Sequence, residues 1–585
     1  MSVAGTGRTL EAEVVTEDGV TLATTVRLPE GAGPWPATVF RSPYGRLNEM
    51  IAVTDPGVAT VLQDVRGRFD SGGVFDLGGS DGADGAATVA WVAAQPWCDG
   101  GVAMHGASYA GMTQLRAASA GPAALRAIAP IRCPAWWRPL TMHEGGALLL
   151  SLLTHWLPQQ AAQAPDCPDH LRGPIWERSV LFEQIVDYPP GPPTAQGRLN
   201  LARALAHPSL RHRPLIEAPL LDAVPAWAEI WRRVVTEPYP HSWLTDPGPP
   251  PGSGPRVPTL LLSGWYDCWS QDHVAMFAAL RVRDGDGGPH RLVMTPYSHA
   301  PEPAGELGPF PDSARFPDSA AVDWNLEWLR DAPSRMRELA PVTWAVMGAG
   351  RWDEAPDWPP PGAQPVDLHL DASTPERPLL GIAPAASGQA GFTCDPRNPM
   401  PSCGGPSLGL PMGPLDVRAL TSPARDDVVS FTTAALAEPL ELSGPVTADM
   451  VVSVDALDND VVVRLLDVRA DGRCMSVAEG VTRARYRSGP PPRPLAPGVP
   501  TEVGVHLWNV AYLLPAGSRL RVDVCGGSFP RIEPNANSGL PAGTDTESDL
   551  RPATLRVHSG PAGGSRVRLT ARTAEMAQAL RAVAR

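Results

Sequence analysis

At 585 residues, with 43% hydrophobic content, the chain exceeds what one ordinary hydrophobic core organises, so two or three domains are expected. Its net charge of -14 argues against nucleic acid or an anionic membrane as partner, since both reward clustered positive charge. All 48 basic residues are arginine, and the absence of lysine excludes Schiff-base catalysis, a Walker A phosphate site and a Ser-Lys dyad.

The amino terminus MSVAGTGRTLEAEVV carries no apolar leader, and the most lipid-like run, Ala147–Leu153, is too short to span a bilayer; a cytoplasmic protein is expected. Eight cysteines lie without C-x-x-C or zinc-type spacing, so free thiols and no metal are the expectation. Cys394 and Cys403 alone are close enough in sequence for a local disulfide.

Residues 9–28 alternate polar and apolar around Asp18-Gly19, which predicts an antiparallel hairpin at the start of the fold. Strand-length apolar runs follow at Ala37–Phe40, Ala59–Leu62, Val102–Met104, Thr259–Leu262 and Leu292–Met294, with helical patterns such as Ala83–Ala94 and Met112–Ala120 between them. That alternation predicts a mainly parallel sheet covered on both faces, whose ligands bind beyond the carboxyl ends of the strands. From 141 to 250 the pattern changes to helices rich in Trp and Leu, including Ala147–Trp156, Ile175–Val186 and Val224–Val235, as expected of an inserted cap. Asp357–Pro365 reads as a stiff, extended linker. After it, short alternating strands such as Thr447–Val454, Asp460–Val468, Glu502–Leu507 and Arg519–Val524 predict a β-sandwich or jelly roll. The division is therefore 1–140 and 251–356 for the α/β domain, 141–250 for the cap and 366–585 for the jelly roll.

Gly106-Ala-Ser-Tyr-Ala-Gly111 follows an apolar run and precedes a helical pattern, the context of a nucleophile elbow, although Ala110 stands where G-x-S-x-G has its second glycine. With no lysine available, the base for Ser108 must be histidine. Two strand-end loops further on, Ser263-Gly-Trp-Tyr-Asp267 delivers an acid and Thr295-Pro-Tyr-Ser-His299 an imidazole. The order Ser, Asp, His is that of the α/β-hydrolase fold, and it nominates Ser108, Asp267 and His299 for covalent acyl transfer. His105 precedes the serine within the strand end and cannot easily reach Oγ; His143 and His273 read as pocket or packing residues. Asp64, Arg66, Arg68 and Asp70 read as a loop-bracing ion network. Trp269, two residues past Asp267, reads as a wall of the acyl pocket, with one or two of the cap tryptophans Trp136, Trp137 and Trp156 opposite; most of these, with Trp176, read as cap core.

Arg41-Ser-Pro-Tyr44, Asp64-Val-Arg-Gly-Arg68, the serine hexapeptide, Gly264-Trp-Tyr-Asp267 and Ser298-His299 together resemble, in order and rough spacing, the cocaine esterase / X-prolyl dipeptidyl-peptidase superfamily, whose own elbow is G-x-S-Y-x-G. The resemblance covers nearly the whole chain and extends to jelly-roll segments Asp460–Arg469, Ser518–Asp523 and Ser528–Arg531. It implies an α/β-hydrolase fold with an inserted helical cap and a C-terminal jelly roll packed on the catalytic domain. It also implies a Ser108–His299–Asp267 triad, and an oxyanion hole made of the Tyr109 backbone N–H and the Tyr44 hydroxyl. No cofactor is implied, and the partner is a small-molecule ester or short peptide. An X-prolyl dipeptidyl aminopeptidase or α-amino-acid ester hydrolase would need a carboxylate for the substrate amine, for which Glu144 is the candidate. An acyltransferase would use the same triad. The jelly roll could instead bind carbohydrate or a protein. Oligomeric state stays open.

Overall fold

The computed structural model describes residues 8–48, 57–138, 142–177, 208–238, 248–285, 288–300, 305–307, 310–331, 335–374, 378–402, 404–406, 408, 413–418, 425–561 and 563–584. The chain opens with β1 (Arg8–Val15), β2 (Thr21–Leu28), β3 (Trp35–Ser42), β4 (Ala59–Asp64), α1 (Asp81–Ala93), β5 (Cys98–Ala107), α2 (Tyr109–Ala120) and β6 (Leu125–Ile131). A short hairpin, β7 (His143–Glu144) and β8 (Ala147–Leu148), leads into α3 (Leu150–Ala162), α4 (Asp169–Glu177) and α5 (Pro225–Thr236). The sheet resumes with β9 (Thr259–Gly264), α6 (Ser270–Asp284), β10 (His290–Thr295), α7 (Ala320–Arg330), β11 (Val342–Val346) and β12 (Arg351–Ala355).

These strands form one ten-stranded sheet in the order β1-β2-β4-β3-β5-β6-β9-β10-β11-β12. From β4 to β11 neighbours run parallel, and β1, β2 and β12 supply antiparallel edges. Strands such as β4 and β9 are buried along their whole length, which is why they read as unbroken apolar runs. β6 escaped sequence reading because Pro130, which cannot donate to a ladder, sits inside it, yet it pairs Gly106 with Pro130 in register between β5 and β9. The helix predicted over Ile175–Val186 is observed only as α4, ending at Glu177; its remainder lies outside the described residues.

Beyond Gln364, eleven strands form a second sheet, in which Leu440–Val454 pairs with Thr501–Leu514 and Asp460–Val468 with Arg519–Cys525. A single apolar cluster runs from Val39 and Met104 in the first sheet to Val505 and Val567 in the second, so the jelly roll packs on the catalytic domain through a continuous core. Asp357–Pro365 is not the extended tether expected: Trp358 is buried, its ring centroid 5.1 Å from Trp265 and 5.2 Å from Trp344, and its indole N–H donates to Asn509 Oδ1 at 2.8 Å. Burying a large aromatic with its N–H satisfied makes the segment part of the interface. Cys394 is a free thiol, and Cys403 lies outside the described residues. No helix among the described residues is long and apolar enough to cross a membrane.

Candidate active site

Ser108 sits between β5 and α2 with φ 59° and ψ -126°, a backbone conformation that non-glycine residues adopt only when their surroundings enforce it. Its N–H donates to Ile131 O at 2.8 Å, and its carbonyl accepts from the N–H of Gly111 and Met112. Gly106, at φ 144°, has no room for a side chain: a Cβ there would lie 2.8 Å from Ala110 Cβ. The same crowding explains the departure from G-x-S-x-G. Ala110 fills a small pocket with Phe40 and Leu62, whereas at Gly111 the helix leans on the end of β6 and a Cβ would lie 2.8 Å from Cys133 Cβ. Glycine is required one residue later because the close contact occurs one residue later.

The loops after β9 and β10 cross at Gly264, where a Cβ would stand 2.1 Å from the carbonyl oxygen of Tyr297. The Trp265 and Tyr266 N–H groups donate to Thr295 O at 3.1 Å and Tyr297 O at 3.3 Å, so the two loops are stitched together. This brings His299 Nδ1 to 2.6 Å from Asp267 Oδ2, while Asp267 Oδ1 accepts the Trp269 N–H at 2.9 Å. Burial alone would raise the Asp267 pKa, but the His299 charge and hydrogen bond, the Trp269 amide and the Arg132 charge outweigh it and hold the carboxyl below its ordinary value. The His299 ring keeps 18% of its surface exposed, with Trp269 edge-on at 5.3 Å. Asp267, Cys268 and His299 offer ligand atoms within 4.8 Å of one another, as a metal site would. Oδ2 and Nδ1 are already spent on each other, however, and burial with the Asp267 charge pushes the Cys268 thiol far up, so the trio fits proton chemistry better than cation binding.

Tyr44 follows β3. Its hydroxyl accepts the Trp156 indole N–H at 3.2 Å and lies near enough to the Ser108 side chain to feel its influence. Burial raises its pKa above the ordinary 10.0, against the lowering influence of Trp156, Ser108 and the Arg68 charge, so it stays a protonated donor. Tyr109, first in α2, turns its ring into an aromatic box: 6.5 Å from Trp156 and nearly parallel, and 5.6 Å from Phe75. Trp227 of α5 closes the box, stacked on Phe75 at 5.1 Å and edge-on to Trp156 at 6.3 Å.

Of the sequence-predicted residues, Ser108, Tyr44, Tyr109 and Trp156 form one connected group, and Asp267, His299 and Trp269 another after β9 and β10, with β6 between. Trp136 and Trp137 do not join them. Trp136 is buried in the main core, its N–H donating to Ser253 Oγ at 3.3 Å, and Trp137 packs edge-on against it. Nor is Glu144 free for a substrate amine: one carboxylate oxygen accepts from Arg531, and the other accepts the Trp508 indole N–H at 3.3 Å, both from the jelly roll. Trp176 is 37% exposed and is not cap core. The expected ion network exists without Arg68. Asp64 and Asp70 share Arg46, and Arg66 joins Asp18 to Asp84. His105, His143 and His273 are all buried; burial holds them down to about 4, 3 and 4 respectively, and His273 Nε2 accepts the Cys133 N–H. Phe75 and Trp227 carry no motif, because their partners are distant in sequence; Arg68 lies in the Asp64-Val-Arg-Gly-Arg68 motif but reads there as part of the ion network.

Residues 18–301 match the profile of the X-Pro dipeptidyl-peptidase (S15 family), and 335–568 that of the X-Pro dipeptidyl-peptidase C-terminal non-catalytic domain. The chain is 30% identical to cocaine esterase of Rhodococcus sp. (strain MB1 Bresler) over 577 residues, covering 93% of this chain and 95% of that one. Among solved structures, an aminopeptidase from a marine sediment Thaumarchaeota archaeon superposes with a TM-score of 0.73 at 21% identity over 97% of both chains. An α-amino acid ester hydrolase does so with 0.71 at 22% over 98% of both.

Proposed function

We propose a function from one premise: this chain belongs to the cocaine esterase / X-Pro dipeptidyl-peptidase superfamily, and it is a serine hydrolase acting on ester or peptide bonds. Our reading is that it cleaves esters of a fairly apolar acyl group through an acyl-enzyme on Ser108. His299 takes the Oγ proton as the serine attacks the carbonyl, then returns it to the leaving alcohol. Asp267 accepts from Nδ1 and so leaves Nε2 as the basic nitrogen. The tetrahedral oxyanion is held by the Tyr44 hydroxyl and the Tyr109 N–H, and water repeats the cycle in reverse to free the acid.

One observation carries the reading: a strained serine at the carboxyl edge of the sheet, with the Tyr44 phenol near its side chain, on the same edge where β9 and β10 deliver an Asp–His pair at 2.6 Å. The aromatic box of Tyr109, Phe75, Trp156 and Trp227 supports an apolar acyl group, with Trp269 packed against the same cluster. The engagement of Glu144 by Arg531 and Trp508 speaks against a free amine as the recognised group.

The test is a panel of nitrophenyl acyl esters, aminoacyl esters and X-Pro anilides, with an added amine acceptor and intact-mass analysis after a fluorophosphonate. Apolar acyl esters are expected to turn over fastest, with a single adduct on Ser108. Faster cleavage of X-Pro anilides, dominant transfer to the amine, or an adduct elsewhere would overturn the reading.

A further inference from the structure

Arg68 is fully buried, and its guanidinium touches no carboxylate. Nε donates to Pro43 O at 2.8 Å, Nη1 to Gln160 O at 2.9 Å and Nη2 to Gln160 Oε1 at 3.1 Å, all neutral acceptors. Every other buried arginine among the described residues holds an acid, from Arg41 on Asp81 and Arg138 on Asp272 to Arg483 on Asp460. A buried cation without a counter-ion is costly, and that cost is borne where the charge has another use.

Its place in the fold indicates the use. The guanidinium carbon lies 5.3 Å from the Trp227 ring and 5.9 Å from Phe75, the walls of the box that Tyr109 and Trp156 complete. Pro43, whose carbonyl it grips, is bonded directly to Tyr44, and Gln160 lies one turn beyond Trp156 on α3. Arg68 thus ties together the two elements that aim the Tyr44 hydroxyl. Its charge acts on both Tyr44 and Tyr109, and burial lowers its own pKa only to about 10, so it remains a cation at neutral pH.

We propose that Arg68 is the positioning residue of the oxyanion hole: it locks the Pro43–Tyr44 turn against cap helix α3 and sets a fixed positive field behind the Tyr44 hydroxyl, where negative charge develops as the carbonyl is attacked. The field acts through Tyr44, making its O–H a stronger donor, and in low dielectric it is little screened. The inference rests on Tyr44 and Tyr109 being the oxyanion donors. No proton leaves Arg68 and no bond to it changes in the cycle.

The experiment compares Arg68→Lys, Arg68→Gln and Arg68→Met with Tyr44→Phe on a nitrophenyl ester. It also measures binding of phenylboronic acid, which adds to Ser108 as a tetrahedral anion, and of the neutral benzamide. Arg68→Gln and Arg68→Met are expected to lower kcat and boronate affinity in parallel, about 10- to 100-fold, with KM and benzamide affinity within about twofold. Arg68→Lys, which keeps the charge, should stay within about threefold. Should Arg68→Met fail to fold, Arg68→Gln supplies the neutral comparison. Equal losses in the Lys and neutral variants, or an unchanged boronate affinity in the latter, would overturn the role of Arg68. A Tyr44→Phe enzyme with unaltered kcat would instead bring down the oxyanion reading beneath it.

Discussion

Tyr44 illustrates how much a single side chain depends on its partners. A phenol beside a proline is ordinary packing material; with the Trp156 N–H donating into its oxygen and Ser108 close by, it becomes a polarised donor. Tyr44→Phe is expected to lower kcat on a nitrophenyl ester about 10²–10³-fold with KM little changed; a change confined to KM would make it a binding residue. Trp156→Phe keeps the aromatic wall and removes the N–H, so kcat should fall about tenfold, the worth of one hydrogen bond. Adding it to Tyr44→Phe should cost little further, because the two act through the same oxygen; steady-state rates of the four enzymes decide this. The sequence alone gave reason to expect Tyr44 only through resemblance, and it nominated Trp156 together with Trp136 and Trp137, which the structure places in the main core.

At the level of elements, the elbow was legible because its constraint is local. Positive φ at Ser108, crowding at Gly106 and the approach of Cys133 to Gly111 all act within one strand–turn–helix unit and its neighbouring strand. The β7–β8 hairpin was not legible. Its strands are two residues each, and it owes its shape to the jelly roll, whose Arg483 and Glu533 N–H groups donate to Gly145 O and Leu148 O. A Cβ on Gly145 would stand 2.0 Å from Val481 O. His143 in this hairpin is buried, and desolvation, with the Arg483 charge, depresses it to about 3. The unfolded chain therefore takes up this proton first, so the His143 contribution to stability is complete above pH 6.5 and is lost as pH falls towards 3. Between pH 7 and pH 5, His143→Gln is expected to lose about 2 kcal/mol less unfolding free energy than the parent, from urea titrations at the two values. Equal losses would show that His143 does not titrate on unfolding.

Across the whole molecule, the cap is held between two domains. Glu144 of the hairpin reaches Arg531, 387 residues away, which also meets Glu479, while Arg213 before α5 pairs with Glu533. Breaking one partner strands a buried charge, so Arg531→Met is expected to destabilise by about 3–5 kcal/mol, whereas Glu144→Leu together with Arg531→Met recovers most of that loss. Urea midpoints of the single and double variants test this, and a harmless Arg531→Met would uncouple cap from jelly roll. The sequence by itself determined the strand–helix alternation and the order of serine, acid and histidine at strand ends, because side-chain periodicity and turn sterics are short-range. Only the tertiary structure decided which tryptophan meets Tyr44, that Glu144 belongs to an interdomain ion pair, and that Arg68 alone among the described buried arginines lacks an acid. A charge or an indole takes its role from whichever group burial brings against it, and here those groups come from segments about a hundred to four hundred residues away, a separation over which no local pattern carries information.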